Sequence, residues 1–325
     1  MSTSLALARS AHAALRALID YAGLFPPAAL DMPKAAAEYA AARETPHAWM
    51  LGRFIVPASR LEELGERAAG FALSAIVNAT ASPPGETDRW LGLTGDILSA
   101  VSRARRAGAR IEALEIALPP PRSKRDTLDA PISQLGVLLE QNGLRDLSAY
   151  CEIPHRLVAH DHDGAEHVWL DLLPTAAAAA RRSRLGLKIR CGGLDVMDFP
   201  TPREIAAFIG AASSEGLPFK ATAGLHHPVR HYDEATGHTM HGFLNLLAAA
   251  AFAPRVDGAT LEAIVAEEDP AAFVFDDDSL SWRDARVTID DVRAMRRSSF
   301  VGYGSCSFAE PVDDLTALGI LPATP

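Results

Sequence analysis

The feature of this sequence with the most evident chemistry is a lysine inside an apolar run, followed closely by histidines. The stretch is LPFKATAGLHHPVRH, residues 217–231, with Lys220 in the run and His226, His227 and His231 after it. A buried ammonium is costly unless a carboxylate or a ligand answers it. Other apolar runs carry charge near the same end. RIEALEIALP (110–119) holds Glu115, LSAYCEIP (147–154) holds Glu152, and LGLKIRCGG (185–193) holds Lys188 and Arg190. Asn78 ends FALSAIVNA (71–79), Arg53 lies in GRFIVPA (52–58), and Thr222 shares a strand face with Lys220.

A lysine beside a second cation in a partly apolar pocket loses its proton more readily and becomes nucleophilic. Lys220 is the candidate nucleophile, forming a Schiff base with a carbonyl substrate. Lys188 supplies the neighbouring charge, and Glu152 and Glu115 move protons. Two carboxylates against three cations leave surplus positive charge, which implies an anionic ligand held by Arg190 with Thr222 and Asn78. In GYGSCSF (302–308), Gly304 and Ser305 are candidates to offer backbone amides to a phosphate. The competing structural readings are an ion-pair network with Lys220 on Glu152, and a tight turn that needs glycine.

The histidines admit two functional readings. LHHPVRHYDEATGHTMHGFLN contains His226, His227, His231, His238 and His241, with 228–240 expected as a long loop and a helix from Met240. A loop this long after a strand can act as a lid. His226 or His227 is a candidate general acid or base, and His241 a substrate contact. The alternative is a divalent metal ion held by His226, His227 and Glu152, although the spacing matches no strong zinc signature. Otherwise no cofactor is expected.

These residues need a scaffold that brings the ends of several strands together. Six strong runs, with weaker ones at AAFVFD (271–276) and SSFVGYGSCS (298–307), alternate with helical text from residue 51 onward. Such alternation means parallel strands joined by crossovers, and apolar runs suit strands covered on both faces. Eight strands predict an α/β fold, a (β/α)8 TIM barrel over 51–325, where catalytic groups sit at the C-terminal strand ends. A doubly wound sheet is disfavoured by the lack of GxGxxG after the first strand. Residues 1–50 are expected as an N-terminal helical extension, closing the barrel bottom or pairing subunits in a homo-oligomer. In it, Leu5, Leu15, Leu18 and Ile19 fit one amphipathic helix that Gly23, Pro26 and Pro27 end; Asp20, Tyr21 and the AGLFPPA loop either pack over a barrel mouth or form the terminating turn. The aspartates at 276–278 read as a solvated turn.

The bulk numbers narrow the partners. A net charge of −10 argues against a general nucleic-acid binder, which needs clustered cations. No apolar run reaches membrane length, and charges interrupt the N-terminal stretch, so neither a membrane span nor a signal peptide is expected. Three cysteines without a CxxC pair suit a reducing compartment, and a cytoplasmic location follows.

KATAGL (220–225) resembles the lysine-strand motif of class I aldolases of the deoxyribose-phosphate aldolase type, in which Lys-Thr-Ser-Thr-Gly-Phe ends the sixth barrel strand. The chain as a whole also resembles bacterial barrel proteins. The aldolase resemblance implies a Schiff-base lysine at Lys220. It places an aspartate where this chain has Glu152 and a second lysine on the seventh strand, where FVFDDD has none and Lys188 stands in. The expected function is a lyase of aldolase type acting on a small anionic carbonyl metabolite. A metal-dependent isomerase or hydrolase is second. A non-catalytic binding or assembly protein is third, in which case Lys220→Met raises stability or leaves it unchanged.

Overall fold

The computed structural model describes residues 6–79, 86–121, 127–154, 165–193, 198–234 and 237–323. In chain order the elements begin with α1 (Arg9–Leu15), β1 (Ile19–Tyr21), α2 (Met32–Ala42), β2 (Leu51–Pro57), α3 (Arg67–Gly70), β3 (Leu73–Val77) and α4 (Thr87–Arg106). They continue with β4 (Ile111–Ala117), α5 (Asp129–Gln141), β5 (Ser148–Glu152), α6 (Ala165–Arg182), β6 (Gly186–Arg190), α7 (Pro202–Ser214) and β7 (Phe219–Thr222). After the hairpin β8 (His231–Asp233) and β9 (His238–Met240) come α8 (Phe243–Phe252) and α9 (Gly258–Ala266). The chain ends with β10 (Phe273–Phe275), β11 (Ser279–Trp282), β12 (Ala285–Thr288), α10 (Ile289–Ser298), β13 (Phe300–Ser305) and α11 (Ala309–Ala317).

Eight parallel strands close a barrel in the order β1-β13-β7-β6-β5-β4-β3-β2, so the fold is the expected (β/α)8 barrel. Its membership differs from the expectation at two strands. The segment 1–50, expected to be wholly helical, supplies the first barrel strand. α1 stops at Leu15, Ala17 turns at φ 46°, and Ile19–Tyr21 pairs with β13 on one side and β2 on the other. The run 271–276, expected as the seventh strand, instead forms β10 and pairs antiparallel with β11 in a separate sheet. Its alternation explains this, because Phe273 is buried while Val274 is half exposed, as on a strand with one covered face.

Between the strands the helices lie near their expected places. α7 opens on a capping box, Thr201 and Glu204 satisfying each other's backbone amides, and α10 repeats the device with Thr288 and Asp291. α8, FLNLLAAAAF, is buried along its whole length. A helix apolar all round is an interior helix, and α7, α9, α10 and β13 pack around it. The 59–69 segment forms a 3₁₀ turn and the short α3 instead of one helix.

Strand alternation sends every second side chain into the lumen. Tyr21 and Phe54 point outward, stacked on each other and tilted against Tyr39 of α2, so Asp20, Arg53 and Ile55 point inward. The same alternation turns Ser74, Glu115, Glu152, Lys188, Arg190, Lys220 and Thr222 toward the axis. Among the described residues, no helix is long and apolar enough to cross a membrane.

Candidate active site at the barrel mouth

Lys220 and Lys188 are among the largest fully buried side chains of the molecule. Lys220 Nζ lies 2.5 Å from Asp20 Oδ2 and also contacts Glu115 Oε1. Lys188 Nζ lies 2.7 Å from Glu115 Oε2 and 2.9 Å from Glu152 Oε2. Glu152 Oε1 is in turn 3.8 Å from an Arg190 guanidinium nitrogen. The result is one chain of alternating charge, Asp20–Lys220–Glu115–Lys188–Glu152–Arg190, rising from the sealed lumen to the mouth. Each buried charge is answered on both sides, which is the condition for burying it at all.

Backbone and small residues fix the lower end. The Arg53 backbone N–H donates to Asp20 Oδ1 at 2.5 Å, across a space that Gly52 leaves open: a Cβ there would come 2.1 Å from the same oxygen. Ser74 Oγ donates to Glu115 Oε1 at 2.7 Å, which sets each oxygen of that carboxylate toward a different lysine. Above them, Ile55 reaches across to β13. A Cβ on Gly304 would come 2.9 Å from Ile55 Cδ1 and 3.2 Å from Thr222 Oγ1, so Gly304 makes room for this seal. Exposure rises across it: the side chains of Lys220, Glu115 and Asp20 are 1–2% exposed, Glu152 16% and Arg190 49%.

Electrostatics follows this wiring. Burial alone would push the Lys220 ammonium down, but Asp20 and Glu115 outweigh it and raise its pKa. Lys188 is likewise raised, by Glu115 and Glu152 against burial. Burial would push Glu115 up, and the two ammoniums instead hold it well below the usual carboxylate range. The expectation that Lys188 lowers the pKa of Lys220 is therefore reversed, because Glu115 stands between them. Lys220 also does not pair with Glu152, which belongs to Lys188. The expected surplus of cations disappears once Asp20 is counted. Asp20, which the sequence alone leaves open between a terminating turn and packing over the mouth, is a site residue inside the barrel; its signal was a charge between two strand-forming residues, Ile19 and Tyr21.

The histidines are placed differently from the expectation. His226 Nδ1 is 3.1 Å from Glu310 and 3.8 Å from Cys306 Sγ, and His227 Nδ1 is 2.6 Å from Asp314. Both fasten the loop after β7 to α11. His226, His227 and Glu152 do not converge, and among the described residues no three His, Cys, Asp or Glu side chains gather to hold an ion. The long loop 228–240 contains the β8–β9 hairpin, with residues 235–236 outside the described residues, and the helix begins at Phe243. His241, expected to meet substrate, is buried. Its Nε2–H donates to the Pro200 carbonyl at 2.6 Å, and its Nδ1 faces Arg230 at 3.5 Å. Burial, with the Arg230 charge assisting, brings its pKa down to about 4.

Of the remaining expected contacts, Thr222 lies beside Arg190 in the β6–β7 register, and Asn78 follows β3 at the mouth, exposed. Ser305 is buried, its carbonyl accepting from the Ala22 N–H at 2.6 Å. The phosphate position expected near Gly304 and Ser305 is unsuited to an anion, because Glu310 stands in the first turn of α11 and its N–H is taken by Ser307 Oγ at 3.1 Å.

No protein-family model and no curated protein matches the chain. Among solved structures it is similar to a protein from Burkholderia cenocepacia J2315 assigned as a phosphonomutase, at 16% identity and a TM-score of 0.38, covering 66% of this chain and 81% of that one. It is also similar to the carboxyl transferase domain of Rhizobium etli pyruvate carboxylase, solved with pyruvate and biocytin, at 11% identity and a TM-score of 0.33. That match covers 64% of this chain and only 36% of the other. Neither likeness is close enough to inform the site, and the resemblance of KATAGL to deoxyribose-phosphate-type aldolases finds no support among them.

Proposed function

We propose that this chain is an enzyme that binds a small anionic carbonyl metabolite at the barrel mouth and moves a proton at the carbon beside its carbonyl. One observation carries the reading. Of the three carboxylates in the charge chain, only Glu152 has an appreciably exposed side chain, and it stands between a buried ammonium and a half-exposed guanidinium. Arg190 holds the anionic end of the substrate. Glu152 takes the proton, Lys188 fixes its orientation, and the positive charge of Lys188 favours the negative charge that grows on the carbonyl oxygen. Asp20, Lys220 and Glu115 lie beneath Ile55 as the fixed support of this pair.

Lyase chemistry through a Schiff base on Lys220 is the second reading. Two carboxylates lie within reach of Nζ to take the proton that the amine must lose, although both hold Nζ as an ammonium, so the route has to break that pairing first. It requires the substrate carbonyl to pass Ile55.

Proton NMR in D2O tests both. Protein is incubated with a panel of small oxo acids and oxo phosphates, and loss of the signal beside the carbonyl is followed. Exchange accelerated by the wild type and reduced about 100-fold or more in Glu152→Gln is the expected result. Acceleration that persists in Glu152→Gln, or none with any compound, sinks the proposal. A borohydride-trapped adduct on Lys220 moves the chemistry to the Schiff base.

A further inference from the structure

We infer that the anion this mouth accepts is a carboxylate and not a phosphate ester: a short 2-oxo acid, clamped by Arg190 and Thr222 with its third carbon, the one beside the oxo group, over Glu152. The inference rests on the proposed proton-transfer site and adds the class of its substrate.

Three observations lead to it. The first is charge. Among the described residues of the chain from Asp20 to Arg190, three carboxylates are matched by three cations, so a phosphate dianion would find no surplus to neutralise it. A carboxylate monoanion needs only to compete with Glu152 for Arg190. That contact is loose: at 3.8 Å it exceeds hydrogen-bond length, whereas the Glu152–Lys188 contact is 2.9 Å. Among the described residues the guanidinium thus has N–H donors to spare, in the planar fork that matches a carboxylate.

The second is the fate of the usual phosphate position. In barrels of this kind phosphate binds near the last strands, on backbone amides and a helix N-terminus. Here Glu310 occupies the first turn of the helix after β13, held at 3.1 Å by His226, with Asp314 one turn further along. Two carboxylates at that end repel a phosphate, and Ile55 fills the space over Gly304.

The third is reach. Arg190 and Thr222 are register partners on adjacent strands, and so are Glu152 and Lys188 one pleat below. Adjacent strands lie roughly 4.8 Å apart, and residues two apart on a strand roughly 6.6 Å. Allowing roughly 3 Å for the contact between Glu152 and the carbon it deprotonates, a carboxylate on the Arg190–Thr222 pair therefore stands about two bond lengths from that carbon. That distance selects an acid whose reactive carbon is two bonds from its carboxylate carbon, as the third carbon of a 2-oxo acid is.

Isothermal titration with 2-oxobutyrate and with dihydroxyacetone phosphate decides the matter. Binding of 2-oxobutyrate that weakens roughly 10- to 100-fold in Arg190→Ala, with weaker or no binding of dihydroxyacetone phosphate, is expected. Arg190→Lys, which keeps the charge and loses the fork, should also weaken it. Three results would overturn the inference: no binding of 2-oxobutyrate, binding indifferent to Arg190, or equal or tighter binding of the phosphate. A carboxylate that binds without proton exchange would sink the proton-transfer reading and leave this one standing. A phosphate that binds and exchanges would do the reverse.

Discussion

Lys220 shows how one unrecognised partner changes the sign of a prediction. Were it a lone buried cation, methionine in its place would relieve the molecule. With Asp20 and Glu115 both in contact, Lys220→Met leaves two carboxylates buried against one remaining lysine. Breaking a buried pair this way costs about 3–5 kcal/mol. Urea denaturation should show that loss, and Asp20→Asn added to it should recover part. Full stability in the single variant would mean the pair is not formed. His241 gives a second prediction at this scale. Its folded pKa, about 4, lies below its ordinary value of 6.5, so between those values the unfolded chain binds the proton and the folded one does not. Stability is therefore whole above about pH 6.5 and declines as pH falls toward 4, by up to about 3 kcal/mol from this group. His241→Gln should flatten that part of the profile, and an unchanged slope would show that other groups cause it. Glu115, held low, acts at lower pH: its contribution is present above the ordinary carboxylate range and lost only in stronger acid.

The elements differ in how much of themselves they reveal to a sequence reader. Six barrel strands were legible because helices cover one face and the lumen the other, which leaves long apolar runs around one or two charges. Lys220, Lys188, Glu115 and Glu152 could be placed on one site for that reason. Asp20 could not, since it pairs with a lysine 200 positions away and its strand is three residues long, following directly on helical text. The histidines misled because their spacing says nothing about α11, which comes from the far end of the chain and takes up His226 and His227. The turn after β7 carries its own prediction. Ala223 and Gly224 both sit at positive φ, 59° and 66°, and a Cβ on Gly224 would come 2.8 Å from the Cys191 carbonyl. That close approach holds the ends of β6 and β7 together beside Arg190. Gly224→Ala should cost about 1–3 kcal/mol. Gly92→Ala, on an exposed face of α4 with open space around it, should stabilise by about 0.5–1 kcal/mol. Melting temperatures that move the same way in both would refute the steric account.

At the scale of the whole molecule, barrel closure and the charge chain depend on the same short strand. Ile19–Tyr21 bridges β13 and β2, and without it the closed sheet becomes an open one with two unpaired edges. The same strand carries the carboxylate that answers Lys220. Removing it would therefore uncover backbone hydrogen-bonding groups along both neighbours and leave Lys220 with Glu115 alone. α1, ahead of it, packs on α10, and Arg296 of α10 donates to the carbonyls of Arg16 and Ala17, so the lower rim loses its anchor as well. A chain beginning at residue 47, which keeps every strong strand run, should accordingly fail to unfold cooperatively and should expose apolar surface to dye. An extension that only decorated the barrel would leave a cooperative transition within a few degrees of the full chain. Asp20→Ala in the full-length protein separates the two roles of the strand. It retains the ladder, so the barrel should still unfold in one step, and it loses the partner of Lys220 and the acceptor of the Arg53 N–H, at a cost of about 3 kcal/mol. If the truncated chain melts cooperatively near the parent temperature, the strand neither closes the barrel nor holds the charge chain.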